Sequence, residues 1–393
     1  MKLAFYYHIP IFKENNNIYI PGYLGVFIDS LALEVEKLFI VMHEANINER
    51  NECEYVLRQG NIEWVNLGLK KPTWYRTFSP NFSIKKELKK IEVCDVFIVR
   101  SPTPLAVKFH TYIKHPHLVF MVVGNYIEDS GHLKTSNFRN RVIYQYLHYF
   151  DKAFTNRIRF TDIMVNSPML YEKYLPIAKS IELIRTTTLN QQDFFQKNDT
   201  CESDTINVLY TGRIDPAKGL TELVEAISNL NNQSINIKLN IVGWETDPTK
   251  PYENELKMLA TSLGIPDQVQ FHGKKRIGEE LNKEYRKNDI YVIPSYYEGF
   301  PRTIWEAMAN SLPVIASNVG GIPATLNNRQ NVLLIEPKSV EEIEKAILEI
   351  VNDKIFRMKL IKNAFEFASE MTLEKQTKKI VNIVKGHLSG ANA

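Results

Sequence analysis

The chain has 393 residues, a length that predicts two domains of roughly 150–200 residues each. Hydrophobic residues make up 44% and charged residues 24%, as in a globular enzyme, and a net charge of +3 gives no reason to expect a nucleic-acid partner. The three cysteines lack a CxxC spacing, which argues against a disulfide framework or a structural zinc site and favours a reducing cytoplasm.

We expect a cytoplasmic protein, because the first residues lack a signal-peptide pattern and no apolar run reaches the ~18 residues of a membrane span. Residues 139–159 mix basic and aromatic side chains, a composition that also suits peripheral contact with the inner face of the cell membrane. A helix packed by its aromatic residues, with its charges in solvent, is the stronger interpretation of this segment.

The first half alternates apolar runs with segments of helical spacing. In chain order, the patterns predict a strand in KLAFYYHI, a helix in GVFIDSLALEVEKL and strands in LFIVMHE, CDVFIVRS, HLVFMVVGN and DIMVNSP. Such alternation is typical of βαβ units and a parallel sheet. We assign residues 1–185 to this first domain and residues 186–204, which are polar and aperiodic, to a linker.

A second alternating series covers residues 205–370, and a final helix is predicted in residues 371–393. The strands of this series are INVLYTGR, KLNIVGW, VQFHG, DIYVIPS and LPVIASN, and helical patterns separate them. The simplest architecture that accounts for both series is therefore α/β, with two doubly wound domains and a cleft between them. Ligands of such sheets bind at the carboxyl ends of the strands.

The segment LYTGRIDPAKGL places two cations in a loop that follows a strand and opens a helix. Arg213 and Lys218 flank Asp215 and Pro216 there. Unpaired amides and the helix dipole favour anions at such a loop, and two cations suit a diphosphate. A solvated turn with surface charges is the alternative. Because no GxGxxG or P-loop pattern is suitably placed, nicotinamide cofactors and P-loop chemistry are disfavoured.

The segment EGFPRTIWE holds two glutamates, Glu298 in a loop after a strand and Glu306 inside the following helix. Pro301 suits the first helical position, and the amides of residues 302–304 would offer an anion cradle. Helical rise separates the two carboxylates by roughly 10 Å, whereas paired glycosidase carboxylates stand about 5–9 Å apart. Two contacts along an elongated ligand fit this spacing better than an acid–base pair. Ordinary surface carboxylates remain the alternative for each residue.

The order of TGR, K-G, E-x7-E and VGG resembles the bacterial retaining glycosyltransferases of family 4. The resemblance covers nearly all of the second half, from VLYTGRIDPAKGL to NVLLIEPKSVEEIEKAI. It implies the α/β GT-B fold, in which two doubly wound Rossmann-like domains face each other across a cleft and the C-terminal helix crosses back to the N-terminal domain. The first domain would then bind the acceptor and the second the nucleotide sugar.

The resemblance also assigns roles to individual residues. Arg213 and Lys218 would bind the donor's diphosphate, and Glu298 would meet the hydroxyls of the donor sugar near the reacting centre. The other donor-binding positions are Glu306 at the ribose, the backbone of Gly299, Phe300 and Pro301 beneath the sugar, the amides of Thr303 and Ile304 at the phosphate, and Arg276 in the base pocket.

The first half matches the family less well. In IPGYLG, Pro21 stands where one glycine of a common pair is expected, so Gly22 is carried over as a donor contact. The segment FMVVGNYIEDSGH lacks the histidine that many relatives have before a glycine. Asn125, Asp129 and His132 are candidates for contact with sugar or acceptor instead. A polar loop without a special role is the alternative.

The expected reaction is transfer of a sugar from a UDP- or GDP-sugar to a glycan or lipid-linked glycan acceptor, as in polysaccharide or glycoconjugate assembly. No D-x-D pattern stands at a strand end, so we expect neither a metal nor another cofactor. Cations at the diphosphate would stabilise the departing group as its charge develops. A nucleotide-sugar epimerase of the same fold, or a non-catalytic partner of another transferase, are the competing functions.

Overall fold

The computed structural model describes residues 1–78, 82–103, 105–113, 117–124 and 138–390. The chain divides into two compact units. One combines Met1–Thr186 with Glu374–Ala393, and the other is Thr187–Leu373.

The first unit is built on a seven-stranded sheet in which all strands run parallel. Its spatial order is β10-β9-β8-β7-β1-β4-β6, so the direction of winding reverses between β1 and β7. A small antiparallel sheet of β2, β3 and β5 accompanies it. The strands are β1 Lys2–Tyr6, β2 Phe12–Glu14, β3 Asn17–Ile20, β4 Lys37–Glu44, β5 Tyr55–Val56, β6 Ile62–Leu69, β7 Val96–Ser101, β8 His117–Val122, β9 Asp162–Val165 and β10 Ser180–Leu183.

Helices cover both faces of this sheet, because alternate strand residues are apolar on each side. Phe5 and Ile40 belong to the core beneath α1 and α13, whereas Tyr6 and Val41 belong to the core on the other face. The helices of the unit are α1 Gly22–Leu33, α2 Thr73–Phe78, α3 Phe82–Leu88, α4 Ala106–Tyr112, α5 Phe138–Arg157, α6 Pro168–Tyr174 and α13 Leu373–Gly390.

The second unit has a six-stranded parallel sheet of order β13-β12-β11-β14-β15-β16. Its winding reverses between β11 and β14, so a crevice opens at the carboxyl ends of those two strands. The strands are β11 Ile206–Arg213, β12 Ile237–Trp244, β13 Val269–Phe271, β14 Ile290–Ile293, β15 Val314–Ser317 and β16 Leu333–Ile335. The helices are α7 Leu220–Asn232, α8 Pro251–Ser262, α9 Glu279–Arg286, α10 Thr303–Ala309, α11 Val340–Asn352 and α12 Lys354–Ala368.

The prediction of an α/β fold with two Rossmann-like parallel sheets is confirmed. Three local features differ from the expectation. Helix α10 begins at Thr303, after Pro301, and residues 187–204 belong to the second unit. A hairpin of β2 and β3 turns through Asn15 and Asn16, which both have positive φ. Among the described helices, none combines the length and the hydropathy of a membrane-crossing segment.

Candidate functional site

Lys218 and Glu298 meet at the crevice of the second unit. Strand β11 ends at Arg213, and the side chain of Asp215 then accepts a hydrogen bond from the amide of Ala217 at 2.9 Å, which shapes the turn. Glu298 lies in the loop that follows β14. The Nζ of Lys218 lies 2.6 Å from Oε1 of Glu298. The two strand-end loops that the sequence singled out therefore come together at one point.

Gly219 lets the two loops approach each other. It adopts φ 67°, a left-handed conformation that favours glycine. A β-carbon at this position would overlap the carbonyl oxygen of Pro294 at the end of β14. The glycine that follows Lys218 is thus required both by its backbone conformation and by the space available to it.

The carboxylate of Glu298 has two partners, which both contact its Oε1 atom. Besides the ammonium of Lys218, it accepts a hydrogen bond of 2.7 Å from Oγ of Ser295. The side chains of Lys218 and Glu298 are only 14% and 13% exposed, so this ion pair is less screened than a surface pair. Ser295 was not predicted, although its place directly after an apolar strand is the signal that could have identified it.

The VGG motif supports the backbone beneath Glu298. The amide of Gly321 donates a hydrogen bond of 2.6 Å to the carbonyl oxygen of Gly299. Gly320 has φ 56°, and a β-carbon there would overlap the carbonyl oxygen of Glu298. The two glycines therefore allow the segment after β15 to pack directly on the Glu298–Gly299 backbone.

The residues after Gly299 form the entrance to α10. The ring of Phe300 stacks on that of Trp305, with centroids 4.5 Å apart. The amide of Ile304 donates to the carbonyl oxygen of Pro301 at 3.2 Å, and its contact with the donor phosphate stays a prediction. The hydroxyl of Thr303 accepts a hydrogen bond of 2.7 Å from Tyr291.

Glu306 is buried inside the second unit, with 7% of its surface exposed, so it is not an ordinary surface glutamate. Its Oε1 accepts a 2.7 Å hydrogen bond from Thr188, and its Oε2 accepts one of 2.9 Å from Tyr285. Burial raises the pKa of Glu306 above its ordinary value of 4.5. Each carboxylate oxygen has a further lone pair, so the predicted ribose contact would add to these bonds.

Arg276 lies on the surface after β13, and its backbone amide donates to Oε2 of Glu280 at 3.3 Å.

The second unit also contains an aromatic residue at a strand end that the sequence did not single out. Trp244 ends β12, where it is paired in register with Arg213, and the residue is 42% exposed. The ammonium of Lys274 lies 5.0 Å from the centroid of the Trp244 ring. A half-exposed indole at a carboxyl strand end suits stacking against a planar base.

Gly22, the predicted phosphate contact of the first unit, is the first residue of α1. Its amide donates to Oε1 of Glu54 at 3.3 Å, so a carboxylate already lies where an anion was expected. Asn125, Asp129 and His132, the predicted acceptor contacts, lie outside the described residues.

A cationic cluster lies at the carboxyl edge of the first sheet. His8 follows β1, His43 lies on β4 and Arg100 on β7, three neighbouring strands at the winding reversal. Burial lowers the pKa of His8 to about 3 and that of His43 to about 4, and the charges of Arg76 and Lys70 act in the same direction. Within the described part of the chain, His8 Nδ1, His43 Nε2 and Arg100 Nε are buried without a hydrogen-bond partner.

Comparison with known proteins finds a family match in the second unit. Residues 191–367 match the family Glycosyl transferases group 1. Protein CapJ of Staphylococcus aureus is 27% identical over 368 residues, which are 91% of this chain and 88% of CapJ. D-inositol 3-phosphate glycosyltransferase of Corynebacterium efficiens is 30% identical over 163 residues, 41% of this chain and 38% of that protein.

Solved structures share the fold over almost the whole chain. Anabaena Alr3699/HepE in complex with UDP has a TM-score of 0.71 at 16% identity, covering 98% of this chain and 100% of HepE. Sucrose-phosphate synthase from Thermosynechococcus elongatus has a TM-score of 0.73 at 20% identity, covering 99% of each chain. At these identities the likeness shows the fold, which is that of GT-B glycosyltransferases.

Proposed function

We propose that this chain is a retaining, metal-independent glycosyltransferase that moves a sugar from a UDP- or GDP-sugar to a glycan or lipid-linked glycan, as in polysaccharide or glycoconjugate assembly in the cytoplasm. One observation carries the proposal. Lys218 and Glu298 meet at the winding reversal of a domain that matches the family Glycosyl transferases group 1. Such a reversal is where open α/β sheets bind their ligands.

Lys218 and Arg213 act on the departing nucleoside diphosphate. When the bond between the sugar and the phosphate oxygen breaks, its electron pair stays on that oxygen and the sugar approaches an oxocarbenium ion. A cation fixed at the end of β11 stabilises the transition state where this negative charge develops. Arg213 is exposed at that strand end, and Lys218 lies two residues before α7. The two cations would hold opposite sides of the diphosphate.

Glu298 acts on the sugar. Its carboxylate is fixed by Ser295 and Lys218, and the glycines of the VGG motif fix its backbone. A carboxylate held in this way accepts hydrogen bonds from sugar hydroxyls and orients the reacting carbon. When the donor's diphosphate binds Lys218, the ion pair with Glu298 weakens and the carboxylate gains capacity for the sugar. The acceptor's hydroxyl proton passes to the phosphate oxygen that leaves.

The acceptor is proposed to carry a phosphate. At the carboxyl edge of the first sheet, Arg76 and Arg100 supply positive charge, and within the described residues the buried nitrogens His8 Nδ1, His43 Nε2 and Arg100 Nε have no hydrogen-bond partner. Desolvated cations of this kind favour an anion, and guanidinium groups match phosphate oxygens. A lipid-linked glycan joined through a diphosphate has this chemistry. Peripheral contact with the cell membrane would follow from such an acceptor.

UDP is the first donor nucleotide to test, because HepE was crystallised with UDP and with UDP-glucose. The experiment incubates the protein with a panel of UDP- and GDP-sugars, with and without phosphate-bearing acceptors. The proposal expects nucleoside diphosphate release that depends on acceptor, and a product whose anomeric configuration by NMR equals that of the donor. Conversion of the donor to an isomer without acceptor would indicate an epimerase. An inverted product would contradict retention.

A further inference from the structure

Three side chains that commonly bind metals come together at the amino edge of the first sheet. His117 is the first residue of β8, Asp162 is the first residue of β9, and His387 lies on α13. In a parallel sheet the amino ends of the strands lie at the edge opposite the carboxyl ends. This cluster is therefore separate from the carboxyl-edge cluster of His8, His43 and Arg100.

The distances within the cluster suit one small cation. One ligand atom from each residue lies within 4.8 Å of the other two. His117 Nε2 is 2.7 Å, and His387 Nδ1 is 3.9 Å, from Oδ2 of Asp162. Tetrahedral zinc, with bonds of about 2.0–2.2 Å, places its ligand atoms about 3.3–3.5 Å apart. The observed separations lie on either side of this value, so small side-chain rotations would reach it.

Ser180 fixes His387 in the tautomer that can bind a metal through Nδ1. Its hydroxyl donates to Oδ1 of Asp162 at 2.6 Å and lies 3.0 Å from Nε2 of His387. Because the single hydroxyl proton goes to Asp162, the Nε2–H of His387 donates to Ser180. The neutral ring then has its lone pair on Nδ1. That atom is buried and has no hydrogen-bond partner within the part of the chain that the structure describes.

The surroundings leave room for an ion to enter. Asp162 is 2% exposed, whereas His117 and His387 are 25% and 14% exposed, so solvent reaches the histidine side of the cluster. The Nζ of Lys179 lies 3.9 Å from Oδ2 of Asp162. Its side chain is 58% exposed, so its ammonium can turn into solvent when another cation takes its place.

We propose that His117 Nε2, Asp162 Oδ2 and His387 Nδ1 bind a divalent transition-metal ion, with Zn²⁺ the best match and water as the fourth ligand. On binding, the proton that His117 Nε2 shares with Asp162 leaves this nitrogen, and the neutral ring carries its proton on Nδ1. Two ligands belong to the sheet and the third to α13, so the ion fastens the C-terminal helix to the first unit. Ser180 orients two of the ligands through its hydroxyl. The ion has no part in the glycosyl transfer proposed above.

The test is calorimetric titration of chelator-treated full-length protein with Zn²⁺, in a buffer that does not bind metals. We expect one ion per chain and a rise in Tm of about 5–10 °C at a hundredfold excess over Kd. H117A and H387A should each weaken binding at least about 100-fold, and S180A about 10–100-fold. The matched control is H110A, which changes an exposed histidine of α4 and should bind as the unchanged protein does.

Circular dichroism of each variant separates loss of a ligand from loss of the fold. Co²⁺ gives a second readout, since a tetrahedral site produces visible absorption that H387A should remove. Absence of Zn²⁺ binding to the unchanged protein would overturn the proposal and leave a hydrogen-bonded ion pair that joins α13 to the sheet. Equal affinity of folded H387A and the unchanged protein would also overturn it.

Discussion

At the scale of the residue, Glu306 combines a charge with a buried position. Its carboxylate receives hydrogen bonds from Thr188 and Tyr285, but burial still raises its pKa above 4.5. A carboxyl whose pKa is raised on folding binds protons more tightly in the folded state, so it lowers stability as pH rises above the unfolded pKa. Below pH 4.5 the group is protonated in both states and this cost disappears.

We therefore predict that E306Q melts at a higher temperature than the unchanged protein at pH 7, because glutamine keeps the shape without the charge. The difference should shrink as pH falls towards 4.5. Thermal unfolding between pH 4.5 and 8 measures it, and E366Q, a change at an exposed glutamate, is the control. A lower melting temperature for E306Q at pH 7, with no dependence on pH, would contradict the electrostatic explanation.

The positions of Lys218 and Glu298 can be predicted from the sequence, but the residues that they contact cannot. Lys218 and Glu298 each follow an apolar strand run, and parallel strands end at a common edge, so both could be placed there without a structure. Their contact with each other could not be predicted, because it requires β11 and β14 to be neighbours. The burial of Glu306 depends on Thr188 and Tyr285, which are distant in sequence, and no local pattern shows it.

At the scale of the element, the loop containing Glu298 depends on the glycines that pack on it. Gly320 and Gly264 both have positive φ, of 56° and 75°, so alanine at either position costs about 1–2 kcal/mol in backbone strain. Only at Gly320 would the added β-carbon also meet the backbone of Glu298, whereas nothing lies near it at Gly264. Comparing alanine at Gly320 with alanine at Gly264 therefore separates the effect of backbone strain from the effect of displacing the loop that contains Glu298.

We predict that G320A lowers stability more than G264A does and lowers glycosyl transfer at least about tenfold, because a 1 Å displacement of a catalytic group has effects of this size. G264A should lose stability alone. Urea unfolding and initial rates on the folded variants measure the two effects. Equal activity of G320A and G264A would mean that packing on the Glu298 backbone does not position the carboxylate.

The ends of β1, β4 and β7 supply a second element-scale prediction. His8 and His43 are neutral at pH 6, because burial lowers their pKa values to about 3 and about 4. A phosphate placed among them would favour their protonated forms and raise both pKa values. Binding of a phosphate-bearing acceptor at pH 6 should therefore take up protons from the buffer.

Calorimetry of acceptor binding in buffers with different ionisation enthalpies measures this proton uptake. H8N should reduce it, and H110N, a change at an exposed histidine, should not. K218A serves as a second control, since it alters the second unit only. Binding with no proton uptake, or uptake that H8N leaves unchanged, would argue against a phosphate in this cluster.

Short elements are the hardest to predict from the sequence. The hairpin of β2 and β3 was missed, although Asn15 and Asn16 both adopt the positive φ of a tight two-residue turn. Its strands have only three and four residues, too few for alternation to be recognised. The longer strand β11, Ile206–Arg213, was predicted in INVLYTGR, because its apolar run is long enough for the pattern to be recognised.

At the scale of the whole molecule, the sequence predicts two alternating α/β series but not which elements distant in sequence pack together. The last helix shows the limit. Its amphipathic pattern predicts a helix, but only the family resemblance implies its return to the first domain. Its place in the first unit rests on contacts of Ile380, Val381 and Val384 with a sheet formed some 200 or more residues earlier. The contact of His387 with Asp162 is equally remote in sequence. Such pairs become visible only in three dimensions.

The central claim is that Lys218 and Glu298 form the reacting centre of a glycosyltransferase. The chain offers a matched control in Glu341 and Lys345, a glutamate–lysine pair on α11 whose side chains are 75% and 69% exposed. The measurement is the initial rate of acceptor-dependent nucleoside diphosphate release by K218A, E298A, E341A and K345A. All four variants are first shown to be folded by circular dichroism.

We predict that K218A and E298A each lower this rate at least about 100-fold, as loss of a preorganised transition-state contact does in other enzymes. E341A and K345A should stay within about twofold of the unchanged protein, since exposed ion pairs contribute little. Near-normal rates for folded K218A and E298A would contradict the account.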